Sequence, residues 1–314
     1  MKDIKIAILD DYQQASSTFG DWSVIRQDAE VTVFSEYIGD EKTLSEALKP
    51  FSIVCIMRER TLITAGLLGS LPNLKLIVST GPRNAAIDLE AVKAHGIELA
   101  NTGYVGSGAP ELTWALIMAA GRGIVNENQS LRNGGWQIGV GSDLSGKTLG
   151  IVGLGNIGRK IAQIGQVFDM RVIAWSDSLT AEEAARYGVT YVSKADLFRE
   201  SDFLTVHLVL SERSRGVISD KELSLMKPGA FLINTSRGPL INEEALVKVL
   251  SEGRIAGAAL DVFDTEPLPA GHPFRTMDNV LATPHIGYVT NDTYKVFFDD
   301  TVAAIEAWLK KQVK

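Results

Sequence analysis

Cysteine is almost missing from this chain: Cys55 is the only one in 314 residues. No internal disulfide can form, which fits a reducing compartment. Cys55 lies in the apolar run Ile53-Val54-Cys55-Ile56-Met57 and reads as a buried structural thiol. A nucleophilic thiol needs electropositive, partly exposed surroundings. Histidine is also scarce, at four residues, and no HExxH or paired CxxC spacing occurs, so no metal site is expected. Asp10-Asp11, the one tempting acidic pair, reads as a solvated loop. No stretch approaches the ~18 consecutive apolar residues of a membrane span. The start, Met1-Lys2-Asp3-Ile4-Lys5, lacks the apolar core of a signal peptide, so the expected location is the cytoplasm. Positive charge is not in excess, with 31 Lys and Arg against 38 Asp and Glu and a net charge of −7. A nucleic-acid partner needs a concentrated positive surface and is not expected.

What the chain does have is regular alternation. Short β-branched runs at 4–9, 30–34, 53–57, 74–79 and 96–100 are separated by helix-like pieces such as Lys42 to Leu48 and Asp88 to Ala94. A long apolar helix is expected from Ala109 to Ala120, with Pro110 and Glu111 suited to its first turn. A looser stretch follows, marked by Asn133-Gly134-Gly135-Trp136 and Gly139-Val140-Gly141, and is expected to form a loop. A second series of strands is expected at 148–152, 171–175, 189–192, 203–207, 230–233, 256–260 and 280–283. An amphipathic helix from about Asp292 to Lys310 closes the chain. Strands separated by helices imply parallel βαβ units, and hence two doubly wound α/β domains.

The strand at 148–152 runs directly into Gly153-Leu154-Gly155-Asn156-Ile157-Gly158, and a helix-compatible segment, Arg159 to Phe168, follows. That is the strand–turn–helix context of a dinucleotide-binding turn. Gly153 permits the tight turn, Gly155 lets backbone approach a pyrophosphate, and Gly158 allows the helix to pack closely on the strand. The acid that binds the adenosine ribose is expected at the end of the next strand, where Ser176-Asp177 stands. Asp177 suits the ribose hydroxyls of NAD. Ser176 in the same place leaves room for a 2′-phosphate. No Arg or Lys occurs from Ser176 through Ala185, so NAD is favoured and NADP is the alternative.

Three later segments share one pattern, an apolar strand followed by ionisable residues at its carboxyl end, where ligands sit in open α/β sheets. They lead to Arg237, to Asp261 and Glu266, and to His285. An imidazole can donate a proton to a developing alkoxide and take it back in reverse. A carboxylate on that imidazole fixes its tautomer, and an arginine fork holds a carboxylate while polarising the adjacent carbonyl. The nicotinamide supplies the hydride. Among the other histidines, His95 reads as a helix C-terminal residue and His272 as structural. His207, at a strand end, either lines the adenine pocket or is structural.

Over nearly its whole length the chain resembles the D-isomer-specific 2-hydroxyacid dehydrogenase family. The resemblance is carried by Gly153 to Gly158, by Asn234-Thr235-Ser236-Arg237-Gly238, by Asp261-Val262-Phe263-Asp264-Thr265-Glu266-Pro267 and by Thr283-Pro284-His285-Ile286-Gly287. It implies that Arg237 binds substrate, that His285 is the acid/base and that Glu266 pairs with it. Asp261 would meet the nicotinamide carboxamide. The implied cofactor set is Gly153, Gly155, Asn156, Ile157, Gly158, Ser176, Asp177, His207, Thr235, Arg237, Asp261, His285 and Gly287. The substrate, a small 2-oxo or D-2-hydroxy acid, would also meet Arg58, Thr80 and Gly81.

By the same resemblance, residues 1–100 and 287–314 form a flavodoxin-like substrate domain, residues 101–286 form the NAD(P)-binding Rossmann domain, and the helix near Glu111 packs in a homodimer. Asn156, Ser176 and Val209 depart from the family pattern, which has arginine, aspartate and proline there. A dinucleotide-sensing, corepressor-like regulator on the same scaffold is the second function the resemblance allows. A formate-dehydrogenase-like reaction is disfavoured, because those relatives pair histidine with glutamine where Glu266 stands.

Overall fold

The computed structural model describes residues 4–312. They fall into two compact units, one running to Val105 and resuming at Val289, the other spanning Gly106–Tyr288. Residues 1–3 and 313–314, which the expected domain limits include, lie outside the described residues.

In the first unit, β1 (Ile4–Ile8), β2 (Ala29–Val33), β3 (Ile53–Ile56), β4 (Leu76–Ser79) and β5 (Glu98–Asn101) pair in parallel in the order β2-β1-β3-β4-β5. That order is the flavodoxin-like winding. β3 and β4 are buried at every residue, as unbroken apolar runs require when helices cover both faces of a sheet. Helix Asn291–Gln312 returns to this unit and buries Phe297, Ile305 and Trp308. It is tied there by the Gly103 N–H, which donates to Asp300 at 2.7 Å, and by Tyr104 stacked on Phe297 at 6.2 Å.

Cys55 is buried, and burial pushes its thiol up to about 12, so no thiolate is available at neutral pH. The solvated-loop reading of Asp10-Asp11 is wrong. Asp11 is fully buried and accepts the N–H groups of Ala15 at 2.7 Å and Ser16 at 2.9 Å. Asp10 is buried against the Thr61 hydroxyl. Both carboxylates serve the turn after β1, since a buried carboxylate needs donors.

In the second unit, β6 (Thr148–Val152), β7 (Arg171–Trp175), β8 (Thr190–Tyr191), β9 (Phe203–Val206), β10 (Phe231–Asn234), β11 (Gly257–Leu260) and β12 (Val280–Ala282) form one parallel sheet. Their order is β12-β11-β10-β9-β6-β7-β8, so the chain reverses direction across the sheet between β6 and β9. Side chains alternate between two cores, as the two-residue period of a strand dictates. Phe203, Ile233 and Ala259 face one core with Ile161 and Ile117, while Leu204, Leu232 and Leu260 face the other with Phe198 and Leu250.

The helix expected at Ala109–Ala120 spans Gly108–Arg122 and stops at Gly123, whose φ of 61° is left-handed. The stretch expected as loop then divides. A further helix, Ile124–Arg132, precedes irregular chain containing both glycine clusters. That helix buries none of its residues, so no core-facing stripe marks it.

Candidate active site

Because every strand of the second unit is parallel, all seven carboxyl ends lie along one edge. Read across the sheet, that edge presents His285 after β12, Asp261 and Glu266 after β11, Thr235 and Arg237 after β10, and His207 after β9. Gly153 follows β6, and Ser176 follows β7. From β12 to β7 is five strand steps, about 24 Å at the usual spacing. The reversal of chain direction falls between His207 and Gly153, the switch point where open α/β sheets bind ligands.

The glycine turn is built for close approach. Gly153 has a φ of 98°, and a Cβ there would meet the His207 carbonyl oxygen at 2.6 Å. A Cβ on Gly158 would meet the Gly153 oxygen at 2.2 Å, whereas Gly155 has open space around it. Helix Asn156–Val167 starts without a side-chain cap, so the N–H groups of its first turn, including those of Asn156 and Ile157, are presented to an anion. His207 Nε2 meets Thr205 Oγ1 at 2.8 Å, and its buried Nδ1 has no hydrogen-bond partner among the described residues. Burial pushes this imidazole down to about 3, so it is neutral at physiological pH. A cradle without room for side chains beside an orphaned polar nitrogen fits a dinucleotide. Ser176 is half-buried and Asp177 exposed.

His285 and Glu266 meet directly, with Nδ1 at 2.6 Å from Oε2. A carboxylate only accepts, so Nδ1 carries the proton and Nε2 is left for the ligand. The other carboxylate oxygen, Oε1, accepts the Phe263 N–H at 2.9 Å, so both ends of Glu266 are held. His285 itself has a φ of 52°, a left-handed conformation costing about 1–2 kcal/mol for a residue with a Cβ.

Asp261, fully buried, holds that conformation. Oδ1 accepts the Thr283 hydroxyl at 2.6 Å and the Ile286 N–H at 2.8 Å, and Oδ2 accepts the Gly287 N–H at 2.8 Å. Burial pushes the Asp261 carboxyl above its ordinary value, against the opposing pull of Thr283, Ile286, His285 and Gly287. The carboxylate therefore binds the loop on both sides of His285.

The Arg237 turn is folded by Asn234, to which residue type and spacing alone assign no role. Asn234 is buried, donates to the Arg237 carbonyl at 2.9 Å and accepts the Ser236 N–H at 3.0 Å. Arg237 Nη1 donates to the Ser236 carbonyl at 2.7 Å. Thr235 and Thr113 hydroxyls meet at 2.7 Å, and since Thr113 donates to Ala109 O at 2.8 Å, Thr235 is the donor between them. Gly238 lies against the next loop so closely that a Cβ would meet the Phe263 carbonyl carbon at 2.0 Å. The turn bearing Arg237 and the loop bearing Glu266 are thus in backbone contact.

The remaining candidates cluster in the first unit. The Arg58 N–H donates to Thr80 Oγ1 at 2.8 Å, and Nη1 reaches the carbonyls of Thr80 and Arg83, each at 3.3 Å. The guanidinium also pairs with Glu59 at 3.4 Å and lies 5.6 Å over the Tyr104 ring. The Gly81 N–H donates to Thr102 Oγ1 at 2.7 Å. Among the described residues no group of three or more His, Cys, Asp or Glu is placed to hold a metal ion. Among the described residues, no helix is long and apolar enough to cross a membrane.

The chain is similar to known proteins. The model of the NAD-binding domain of D-isomer-specific 2-hydroxyacid dehydrogenases matches residues 114–287. A glyoxylate reductase of Aeropyrum pernix is 40% identical over 81% of this chain and 78% of its own. A hydroxypyruvate reductase of Thermotoga maritima is 36% identical over 85% and 87%. The crystal structure of a phosphoglycerate oxidoreductase from Vibrio cholerae superposes with a TM-score of 0.92 at 38% identity, covering 98% of this chain and 99% of that one. The chain belongs to the D-isomer-specific 2-hydroxyacid dehydrogenases, oxidoreductases that move a hydride between a nicotinamide dinucleotide and C2 of a 2-oxo or D-2-hydroxy acid.

Proposed function

We propose that this enzyme reduces small 2-oxo acids of the glyoxylate and hydroxypyruvate kind, with His285, Glu266 and Arg237 as its working side chains. The observation that carries this reading is the 2.6 Å contact between His285 Nδ1 and Glu266 Oε2, which leaves Nε2 as the site of proton transfer. When bound, the reduced nicotinamide supplies the hydride that adds to C2. His285 Nε2 gives its proton to the carbonyl oxygen as the C–O π bond is lost, and the product is the neutral alcohol. Glu266 keeps the proton on Nδ1 and offsets the imidazolium charge before transfer. Arg237, braced through Ser236, binds the substrate carboxylate and polarises the carbonyl. In the direction of oxidation, neutral His285 takes the hydroxyl proton at Nε2.

The Gly106–Tyr288 unit holds the cofactor at Gly153 to Gly158, with Ser176 and Asp177 at the adenosine ribose and His207 at the switch point. NAD is favoured because the Asp177 carboxylate accepts from ribose hydroxyls and no cation follows it through Ala185. NADP is the weaker alternative, admitted by Ser176. The enzyme works in the cytoplasm as a homodimer through helices Gly108–Arg122 and Ile124–Arg132. Supporting that interface, Met118, Ile124, Val125 and Leu131 are exposed on these helices, as is Trp136 in the chain that follows them, and a solution mass of two chains tests it.

The function is tested by incubating the protein with NADH or NADPH and glyoxylate, hydroxypyruvate, pyruvate and bulkier 2-oxo acids. Turnover of the smaller acids is expected, with a loss of ~10²-fold or more in His285→Ala. Cofactor binding without turnover of any acid, or near-native rates in His285→Ala, refutes the assignment.

A further inference from the structure

A second imidazole–carboxylate pair lies behind the loop that carries Glu266. Glu243, at the start of helix Glu243–Ser251, uses both of its oxygens. Oε2 accepts the Asp264 N–H at 3.2 Å, and Oε1 meets His272 Nε2 at 3.0 Å. His272 Nδ1 accepts the Phe274 N–H at 3.2 Å. A backbone N–H only donates, so Nδ1 is bare and the ring proton is on Nε2, directed at Glu243. Phe274 is buried, and its ring contacts His272 at 4.7 Å and Phe263 at 6.3 Å.

The contacts form a relay of fixed geometry. His272 holds Glu243, and Glu243 holds the backbone at Asp264. One residue earlier, the Phe263 N–H holds Glu266, whose other oxygen holds His285. The need for such a brace is visible in the loop itself, because Asp264, Thr265, Glu266 and Pro267 are all exposed. An exposed loop without anchors does not keep a carboxylate within the ~0.5 Å that acid–base geometry demands.

We propose that His272 and Glu243 are positioning residues for the acid–base pair, setting the aim of Glu266 at His285 through the Asp264 backbone. This rests on the reading of His285 and Glu266 given above. Glu243 and His272 share their electrostatic neighbourhood with Asp264, which Arg215 also faces. Asp264 is pushed up by partial desolvation and by the Glu243 charge, and pulled back by Arg215 and His272. The Arg275 guanidinium is tied to the carbonyls of Pro269 and Leu268. His285 faces Glu266 and Asp261.

Two substitutions separate positioning from plain loop packing. His272→Gln keeps a donor near the Nε2 position for Glu243 and gives up the Nδ1 acceptor. His272→Asn keeps an acceptor near Nδ1 and gives up the Glu243 contact. Both are compared with the native enzyme in kcat, KM, NADH affinity by fluorescence titration, Tm and the pH profile of reduction. His272→Asn is expected to lose roughly tenfold or more in kcat at unchanged NADH affinity. The pH profile of its reduction should differ from native as well, because Glu266 no longer meets His285 Nδ1 squarely, whereas plain loop packing would leave the profile unmoved. His272→Gln should stay within about threefold of native kcat.

A native profile in His272→Asn, or equal losses in both variants that track Tm alone, overturns the proposal. The two failures are separable. If His285→Ala is nearly inactive while His272→Asn is native, only the positioning role falls. If His285→Ala is active, the acid–base reading falls and takes the positioning role with it.

Discussion

Replacing Asp261 by asparagine removes one oxygen from a buried carboxylate on which three donors of the His285 loop converge. Thr283 and Ile286 share Oδ1 and Gly287 takes Oδ2, so an amide in either orientation sets its NH2 against at least one donor. The better orientation keeps oxygen toward Thr283 and Ile286 and leaves the Gly287 N–H facing another donor. A buried charge-assisted hydrogen bond contributes about 1.5–3 kcal/mol, and an unpaired buried donor costs about 1–3 kcal/mol. Against this, burial already holds the Asp261 carboxyl above its ordinary value, so removing the charge recovers part of the desolvation cost.

The net loss should be about 2–3 kcal/mol, which for a unit of this size lowers Tm by roughly 5–10 °C. Calorimetry of the variant beside the native enzyme measures it. Since His285 holds its left-handed backbone between these bonds, kcat should fall by ~10²-fold while NADH affinity changes little. A Tm within about 2 °C of native, on the scale expected for a lost surface contact, refutes the argument. So does a loss confined to NADH affinity, which would assign Asp261 to the cofactor instead.

Gly238→Ala places a methyl group 2.0 Å from the Phe263 carbonyl carbon. Because the obstacle is backbone, stability should drop by about 2–3 kcal/mol and activity should fall as Arg237 and Glu266 separate. Gly229→Ala, where a Cβ meets nothing within 4 Å, is the control, expected to be neutral or to gain about 0.4–1 kcal/mol. Equal melting temperatures for the two variants would contradict the contact. Acid sensitivity is expected at Glu222. Burial raises its carboxyl, but the Ser219 hydrogen bonds and Lys194 outweigh it and hold the group at about 2 against an ordinary 4.5. A depressed carboxyl stabilises the fold fully above the unfolded value, and that stability is lost as pH falls through the folded one. Glu222→Gln should therefore cost about 2 kcal/mol at neutral pH, after allowance for partial solvent access. The gap to native should close between about 4.5 and about 2. A gap that stays constant through that range in urea titrations rules out the linkage.

The amino-acid sequence by itself determined where the strands run, because β-branched runs such as Ile53–Ile56 and Leu76–Ser79 are local signals. It also determined the parallel class, the glycine turn after β6, and which kinds of chemical group follow β10, β11 and β12. Where no local signal existed, it failed. Helix Ile124–Arg132 buries no face, so its stretch looks like loop, and β8 spans only two residues at the sheet edge. Asp10 and Asp11 looked solvated because their donors are supplied by the folded turn and by Thr61, not by an adjacent motif.

The resemblance implies that Glu266 pairs with His285, but only the tertiary structure decided that the two, 19 positions apart, meet at 2.6 Å through Nδ1 and Oε2. The same holds for the Asp261 contacts on both sides of His285, the fit of Gly238 against Phe263, and the His272–Glu243 brace behind the loop. The reason is physical. Residue type and spacing report what a short segment does to itself, whereas the distance between two strand ends is fixed by how the whole sheet packs.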